Sequence, residues 1–177
     1  MTANNETGVI QPMREISRIC RERGVLLHSD MVQAFGKIDI DVSLVDAASF
    51  AAHKFYGPKG SGFLFLRSGL PIQPIMFGGA HENQRRPGTE NVAGVAGMAA
   101  AAEWVLRDAF GWKRARINNA LESFLAVEHV AVAQQDHLQW ALARHREGAD
   151  WADALHLIAA RGQTAFATFD QKLAKSA

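Results

Sequence analysis

The chain has 177 residues, 48% of them hydrophobic and 21% charged, with a formal net charge of +1 at pH 7. That balance suits one or two packed domains and gives no electrostatic case for a nucleic acid as a bulk polyanionic partner. A single cysteine, Cys20, excludes an internal disulfide framework, and no basic-then-apolar order opens the sequence, so the expected location is the cytoplasm.

In chain order, the first predicted element is a helix from Pro12 to about Arg23, with proline at its start and Gly24 at its stop. Ile16, Ile19 and Cys20 share a face at helical spacing, which makes Cys20 a buried structural thiol rather than a nucleophile. A strand is predicted at Val25–His28, leading into Ser29-Asp30, with Gln33 three residues further on. Ala47–Ala51 and Gly62–Arg67 are the next strands. Only about ten residues separate them, too few for a helical crossover, so the two should be antiparallel or non-adjacent and the sheet mixed. Gly78 to Thr89 reads as an irregular polar loop, and Asn91–Leu106 as a helix whose alanine and glycine face permits close packing. Its apolar run, Val92 to Ala102, is cut by Glu103 and is too short to span a bilayer, so no membrane association is expected.

The most telling stretch is Ala51-Ala52-His53-Lys54-Phe55-Tyr56-Gly57-Pro58-Lys59-Gly60-Ser61-Gly62, where a His-Lys pair ends an apolar strand and a glycine-rich turn follows. A lysine amine on a rigid strand end can bond to an aldehyde cofactor such as pyridoxal phosphate. The plainer alternative is a surface lysine beside a Gly-Pro turn. Asp30 ends another apolar run, so in an open α/β sheet it and Lys54 could converge on the crevice beyond the carboxyl ends of the strands. A carboxylate there would keep a pyridine nitrogen protonated. Helix N-capping is the alternative for Asp30, since Met31 to Gly36 could open a short helix.

Four ordered blocks carry a resemblance: Ala3-Asn4-Asn5-Glu6-Thr7-Gly8, His28 to Lys37, Ala52-His53-Lys54 with its Gly-Pro-Lys-Gly tail, and Gly78-Gly79-Ala80-His81-Glu82 followed by Arg85-Arg86-Pro87-Gly88-Thr89-Glu90-Asn91. From Met1 to about Asp108 the chain resembles the cysteine desulfurases, class V aminotransferases among the fold-type I pyridoxal phosphate enzymes. The resemblance implies an α/β fold for residues 1–110, part of a pyridoxal phosphate transferase large domain with a mixed, mostly parallel sheet. It implies that Lys54 is the Schiff-base lysine, that His53 neighbours the cofactor phosphate, and that Asp30 partners the pyridine nitrogen. Gln33 and Asn5 would face the ring hydroxyl, and Thr89 would reach the phosphate of the other subunit in a homodimer. The implied reaction converts L-cysteine to L-alanine and passes sulfur to an acceptor protein, feeding iron-sulfur or thiolated cofactor synthesis.

The chain departs from that pattern in three ways. Ala51 stands where many relatives carry a serine whose hydroxyl binds the phosphate. The upstream segment with the phosphate-cupping turn and stacking ring, and the small domain with the sulfur-accepting cysteine and the carboxylate-binding arginine, have no counterpart. The expectation is therefore a truncated desulfurase, with Met1 at an internal position of the family pattern and little turnover by the chain alone.

Composition shifts near Phe110-Gly111-Trp112, after which glycine nearly disappears. Residues 111–177 read as mainly helical, with an amphipathic helix at Gln135–Glu147. From about Leu121 the pattern resembles the C-terminal half of a PIN domain, a ribonuclease fold, which implies magnesium or manganese held by Asp153 and Asp170 with Asp150 auxiliary, and RNA as the partner. Helix capping by Asp150 and a turn at Asp170 are the alternative. His129, His137, His145 and His156 lack shared metal-ligand spacing and read as surface or interface residues. Desulfurase, metal-dependent nuclease fragment and inactive fused reading frame all remain open, and the desulfurase blocks, which cover more of the chain and more functional positions, set the expected function.

Overall fold

The computed structural model describes residues 1–125 and 135–159, which form two compact units divided after Val105. In the first unit, α1 (Met13–Glu22) starts after Pro12 and stops at Gly24, whose φ of 65° lets the Val25 N–H turn back to the Cys20 carbonyl at 2.9 Å. Glycine takes this left-handed conformation without the steric cost of a Cβ.

Three strands follow: β1 (His28–Asp30), β2 (Ala47–Ala51) and β3 (Gly62–Leu66). β1 pairs with β2 in parallel and β2 with β3 antiparallel, in the order β1-β2-β3. The sheet is mixed, as the short β2–β3 connection requires, but one ladder of each kind corrects the expectation of a mostly parallel sheet among the described residues. The first strand is also displaced toward the C-terminus. Val25 and Leu26 are 57% and 65% exposed, and the ladder is joined only where Leu27 O accepts the N–H groups of Asp46 and Ala47. A backbone lacking a neighbour at hydrogen-bonding distance cannot be a strand, whatever its apolar content.

Alternation divides the sheet into two faces. Ala48, Phe50 and Phe65 face a core completed by Met31, Ala34 and Val45, with Phe35 and Ile38 partly buried against it. Phe50 stacks on Phe63 across β2 and β3 at a centroid distance of 4.3 Å, and Phe35 meets Phe50 edge-on at 5.7 Å. The opposite face carries His28 and Asp30 from β1 and Ser49 and Ala51 from β2, all less buried.

Cys20 is half-buried and Ile19 is 41% exposed, so the reading of a buried Ile16-Ile19-Cys20 face is corrected. The residue of α1 that is sealed from solvent is Ser17. Gly78 to Thr89 is irregular apart from a 3-10 turn at Glu82–Gln84. α2 runs from Val92 to Asp108, opened by Asn91 Oδ1 accepting the Gly94 N–H at 3.0 Å. A Cβ at Gly97 would lie 3.1 Å from Pro58 Cγ, the close approach expected of its glycine face.

In the second unit, α3 (Arg114–Leu125) packs on α4 (Gln135–Arg146), which packs on α5 (Trp151–Ala159). Its core contains Ile117, Asn118, Leu142, His145 and Trp151. His145, expected at the surface or an interface, is 1% exposed, with Nδ1 2.7 Å from Asn118 Oδ1 and its ring 5.6 Å from that of Trp151. Burial, reinforced by the Arg114 charge, lowers its pKa to about 4, so it is neutral at pH 7. No described helix is long and apolar enough to cross a membrane.

Candidate functional site

The parallel β1–β2 ladder organises the site. Its register sets Asp30 opposite Ser49 at the carboxyl ends of the strands, and Lys54 follows three residues after β2 ends at Ala51. Carboxylate and amine therefore leave adjacent strands at the same edge, where ligands bind in open α/β sheets. Ala52–Lys54 form a 3-10 turn closed by Phe55 N–H to Ala52 O at 3.0 Å, with Ala52 fully buried and Phe55 1% exposed on either side. These two anchors hold the turn while His53 and Lys54 are exposed. The apolar neighbour is thus below the turn rather than around the amine.

Asp30 is half-buried, and its Oδ1 accepts the Val32 N–H at 2.9 Å, which starts the turns running to Lys37. The capping role and a ligand role are compatible, because a carboxylate has two oxygens and about four acceptor positions. On the same face, Ser49 Oγ lies 3.3 Å from His28 Nε2. Gln33 Oε1 accepts from Lys37 Nζ at 2.6 Å.

The first block comes to the same edge. Thr2 donates its N–H to the Asp30 carbonyl at 2.9 Å, and Thr2 Oγ1 is 2.8 Å from Ser29 Oγ. From there the chain makes a tight turn in which Asn4 Oδ1 accepts the N–H groups of Glu6 and Thr7 at 2.9 and 3.0 Å, leaving Asn5 exposed at its tip. Thr89 is exposed in its loop beside Gly88, whose φ is 106°, and before Glu90, whose Oε1 is 2.8 Å from His81 Nδ1. That hydrogen bond from His81 holds the Glu90 carboxyl below its usual pKa. The structure brings Asp30, Lys54, Gln33 and the Asn5 turn to one sheet edge; Thr89 belongs to a separate loop of the same unit.

These groups match the chemistry of pyridoxal phosphate: an amine for the aldehyde, a carboxylate for the pyridine nitrogen and an amide for the ring hydroxyl. No hydrogen bond or ion pair among the described residues engages Lys54 Nζ, so the amine is accessible to an electrophile.

A family model described as aminotransferase class V matches residues 1–164. The chain belongs to this class V aminotransferase family. Within the family it is similar to cysteine desulfurase IscS of Clostridium botulinum, 46% identical over 110 residues, which cover 61% of this chain and 28% of that protein. It is 50% identical over 105 residues to cysteine desulfurase IscS of Dictyoglomus turgidum, covering 58% of this chain and 27% of the relative. Among solved structures, a NifS-like protein superposes with a TM-score of 0.60 at 43% identity, over 71% of this chain and 35% of the other. DndA from Streptomyces lividans gives 0.56 at 36% identity, over 77% and 41%. The chain thus spans less than a third of the length of these curated relatives.

The class V match continues beyond residue 110, through α3 to α5. There, Asp150 Oδ1 accepts the Ala152 N–H at 2.8 Å and the Asp153 N–H at 3.3 Å, so it caps α5, and Asp153 sits in the first turn. Asp170 and His129 lie outside the described residues. Among the described residues no three His, Cys, Asp or Glu side chains group as metal ligands.

Some contacts at this edge were missed in sequence. The Gln33–Lys37 pair was one, although its i, i+4 spacing, that of neighbouring side chains on a helical turn, is a signal that could have found it. Ser49 and His28 are 21 residues apart, and only strand register joins them.

Proposed function

We propose that this chain carries the cofactor platform of a pyridoxal phosphate-dependent cysteine desulfurase. The supporting observation is the exit of Asp30 and Lys54 from adjacent parallel strands at one edge. Lys54 holds the cofactor covalently, Asp30 keeps a proton on the pyridine nitrogen, and Gln33 and Asn5 contact the ring hydroxyl. His53 neighbours the cofactor phosphate, and Thr89 serves the site of a partner copy in a homodimer. Bound pyridoxal phosphate supplies an electron sink for carbanionic chemistry at the substrate.

The substrate in this reading is L-cysteine, consistent with a structural relative described as SspA in complex with cysteine, which superposes with a TM-score of 0.55 at 37% identity over 58% of this chain and 30% of that one. Cleavage of its carbon–sulfur bond leaves alanine and transfers the sulfur atom to an acceptor thiol, which becomes a persulfide. Cys20, half-buried on α1, is the sole cysteine of the sequence and no fit for a mobile acceptor. An acceptor thiol outside the residues of this sequence completes the reaction.

The test is to incubate the chain with pyridoxal phosphate, reduce with borohydride and map the label. Label should concentrate on Lys54 and vanish in Lys54→Ala. Equal labelling of Lys37 and Lys59 would reduce the reaction to nonspecific modification of amines.

A further inference from the structure

The short contact between Lys37 Nζ and Gln33 Oε1, 2.6 Å, settles which end of the Gln33 amide is free. A lysine ammonium carries three donors and no acceptor, whereas a carboxamide accepts at oxygen and donates at nitrogen. Only the oxygen can face Lys37. The contact is built on ordered backbone: Asp30 Oδ1 holds the Val32 N–H, Ala34 N–H bonds to Met31 O at 3.0 Å, and Lys37 N–H bonds to Ala34 O at 3.1 Å. Met31 and Ala34 are 2% and 0% exposed, so the turns that set the spacing from Gln33 to Lys37 are anchored in the core. The NH2 group of Gln33 is then the end left for a ligand.

We propose that Lys37 is a positioning residue that turns the Gln33 amide so that it meets the ring hydroxyl of pyridoxal phosphate as a donor. A pyridoxal ring oxygen carrying negative charge is stabilised by a donated N–H and repelled by an amide oxygen, so the orientation decides the sign of the contact. This inference rests on the reading of Gln33 as the ring-hydroxyl contact.

The experiment uses the full chain and two ligands, pyridoxal phosphate and its 3-deoxy analogue, which lacks the hydroxyl. Wild type should prefer pyridoxal phosphate. Lys37→Met should shrink that preference by roughly 3- to 10-fold, the loss of one oriented hydrogen bond. Lys37→Glu, which can only accept, should reverse the amide and abolish the preference, and Lys37→Arg should keep it. In the cofactor-free chain, the side-chain amide resonances of Gln33 should shift in the Met and Glu variants and hold in the Arg variant. Equal weakening of both ligands, or resonances unmoved in all three variants, overturns the role of Lys37. A wild-type chain that labels at Lys54 yet shows no preference between the ligands removes the Gln33 contact and this inference with it. Absence of Lys54 label alongside the expected Gln33 shifts points instead to failure of the cofactor reading, with the amide orientation intact.

Discussion

Arg67, just after β3, reaches the carboxylate of Asp46, just before β2, and the same carboxylate accepts the Leu27 N–H at 2.7 Å. The backbones join as well, Arg67 N–H to Asp46 O at 2.8 Å. One acidic side chain therefore ties the approach to β1, the start of β2 and the end of β3 together, at the edge opposite Lys54. Asp46 is 8% exposed, and losing it leaves the part-buried Leu27 N–H without its acceptor, while the half-exposed Arg67 guanidinium turns to water.

Asp46→Ala should lower stability by about 2 to 3 kcal/mol, and Asp46→Asn by less, because the amide keeps one acceptor. Urea unfolding followed by circular dichroism measures both. A change in the alanine variant within about 0.5 kcal/mol of zero, as for an ordinary surface substitution, would show that the cluster contributes no stability.

Gly62 faces Ala51 across the β2–β3 ladder, and a Cβ there would stand 2.4 Å from Phe50 O. No side chain can yield at such a distance; the strands must separate. Gly62→Ala should cost about 1 to 3 kcal/mol and loosen the turn that carries Lys54. Borohydride labelling of Lys54 should fall in parallel with the melting temperature, and unchanged values of both would contradict the close approach.

Ala51 ends β2 beside the proposed cofactor edge and has no hydroxyl to give a phosphate. Ala51→Ser should tighten pyridoxal phosphate binding up to about 10-fold, the effect of one additional hydrogen bond to an anion. Titration of the cofactor absorbance reads the change. Identical affinity in the two proteins would place the phosphate elsewhere.

His145 makes the second unit acid-sensitive. Its folded pKa of about 4 lies below the ordinary histidine value of 6.5, so the unfolded chain binds the proton more readily. Stability is complete above pH 6.5 and is lost as pH falls toward 4, by up to about 3 kcal/mol below that window. Trp151, 5.6 Å away ring to ring, provides a local fluorescence signal for urea titrations at pH 7 and pH 4.5. His145→Gln should flatten the pH dependence. An unfolding midpoint in wild type that does not move between the two pH values would assign the acid response to other groups.

Much of this protein was legible one residue at a time. Pro12 and Gly24 bracket α1 because each restricts or frees φ locally, and β2 was legible as an apolar run bounded by polar and turn residues. Lys54, Asp30 and the glycine-rich turn between β2 and β3 announced a family because side-chain chemistry and turn geometry are local properties of sequence. Pairing is not local. Val25-Leu26 has the apolar character of a strand and lacks a partner, whereas His28–Asp30 becomes β1 because β2 lies beside it in parallel register. The same long-range packing drew His145 into the core of the second unit, left Cys20 half-buried, and set His28 against Ser49. Sequence by itself determined which chemical groups this chain can offer. Tertiary structure decided which of them share an edge, because hydrogen-bond register and burial depend on segments far apart in the chain.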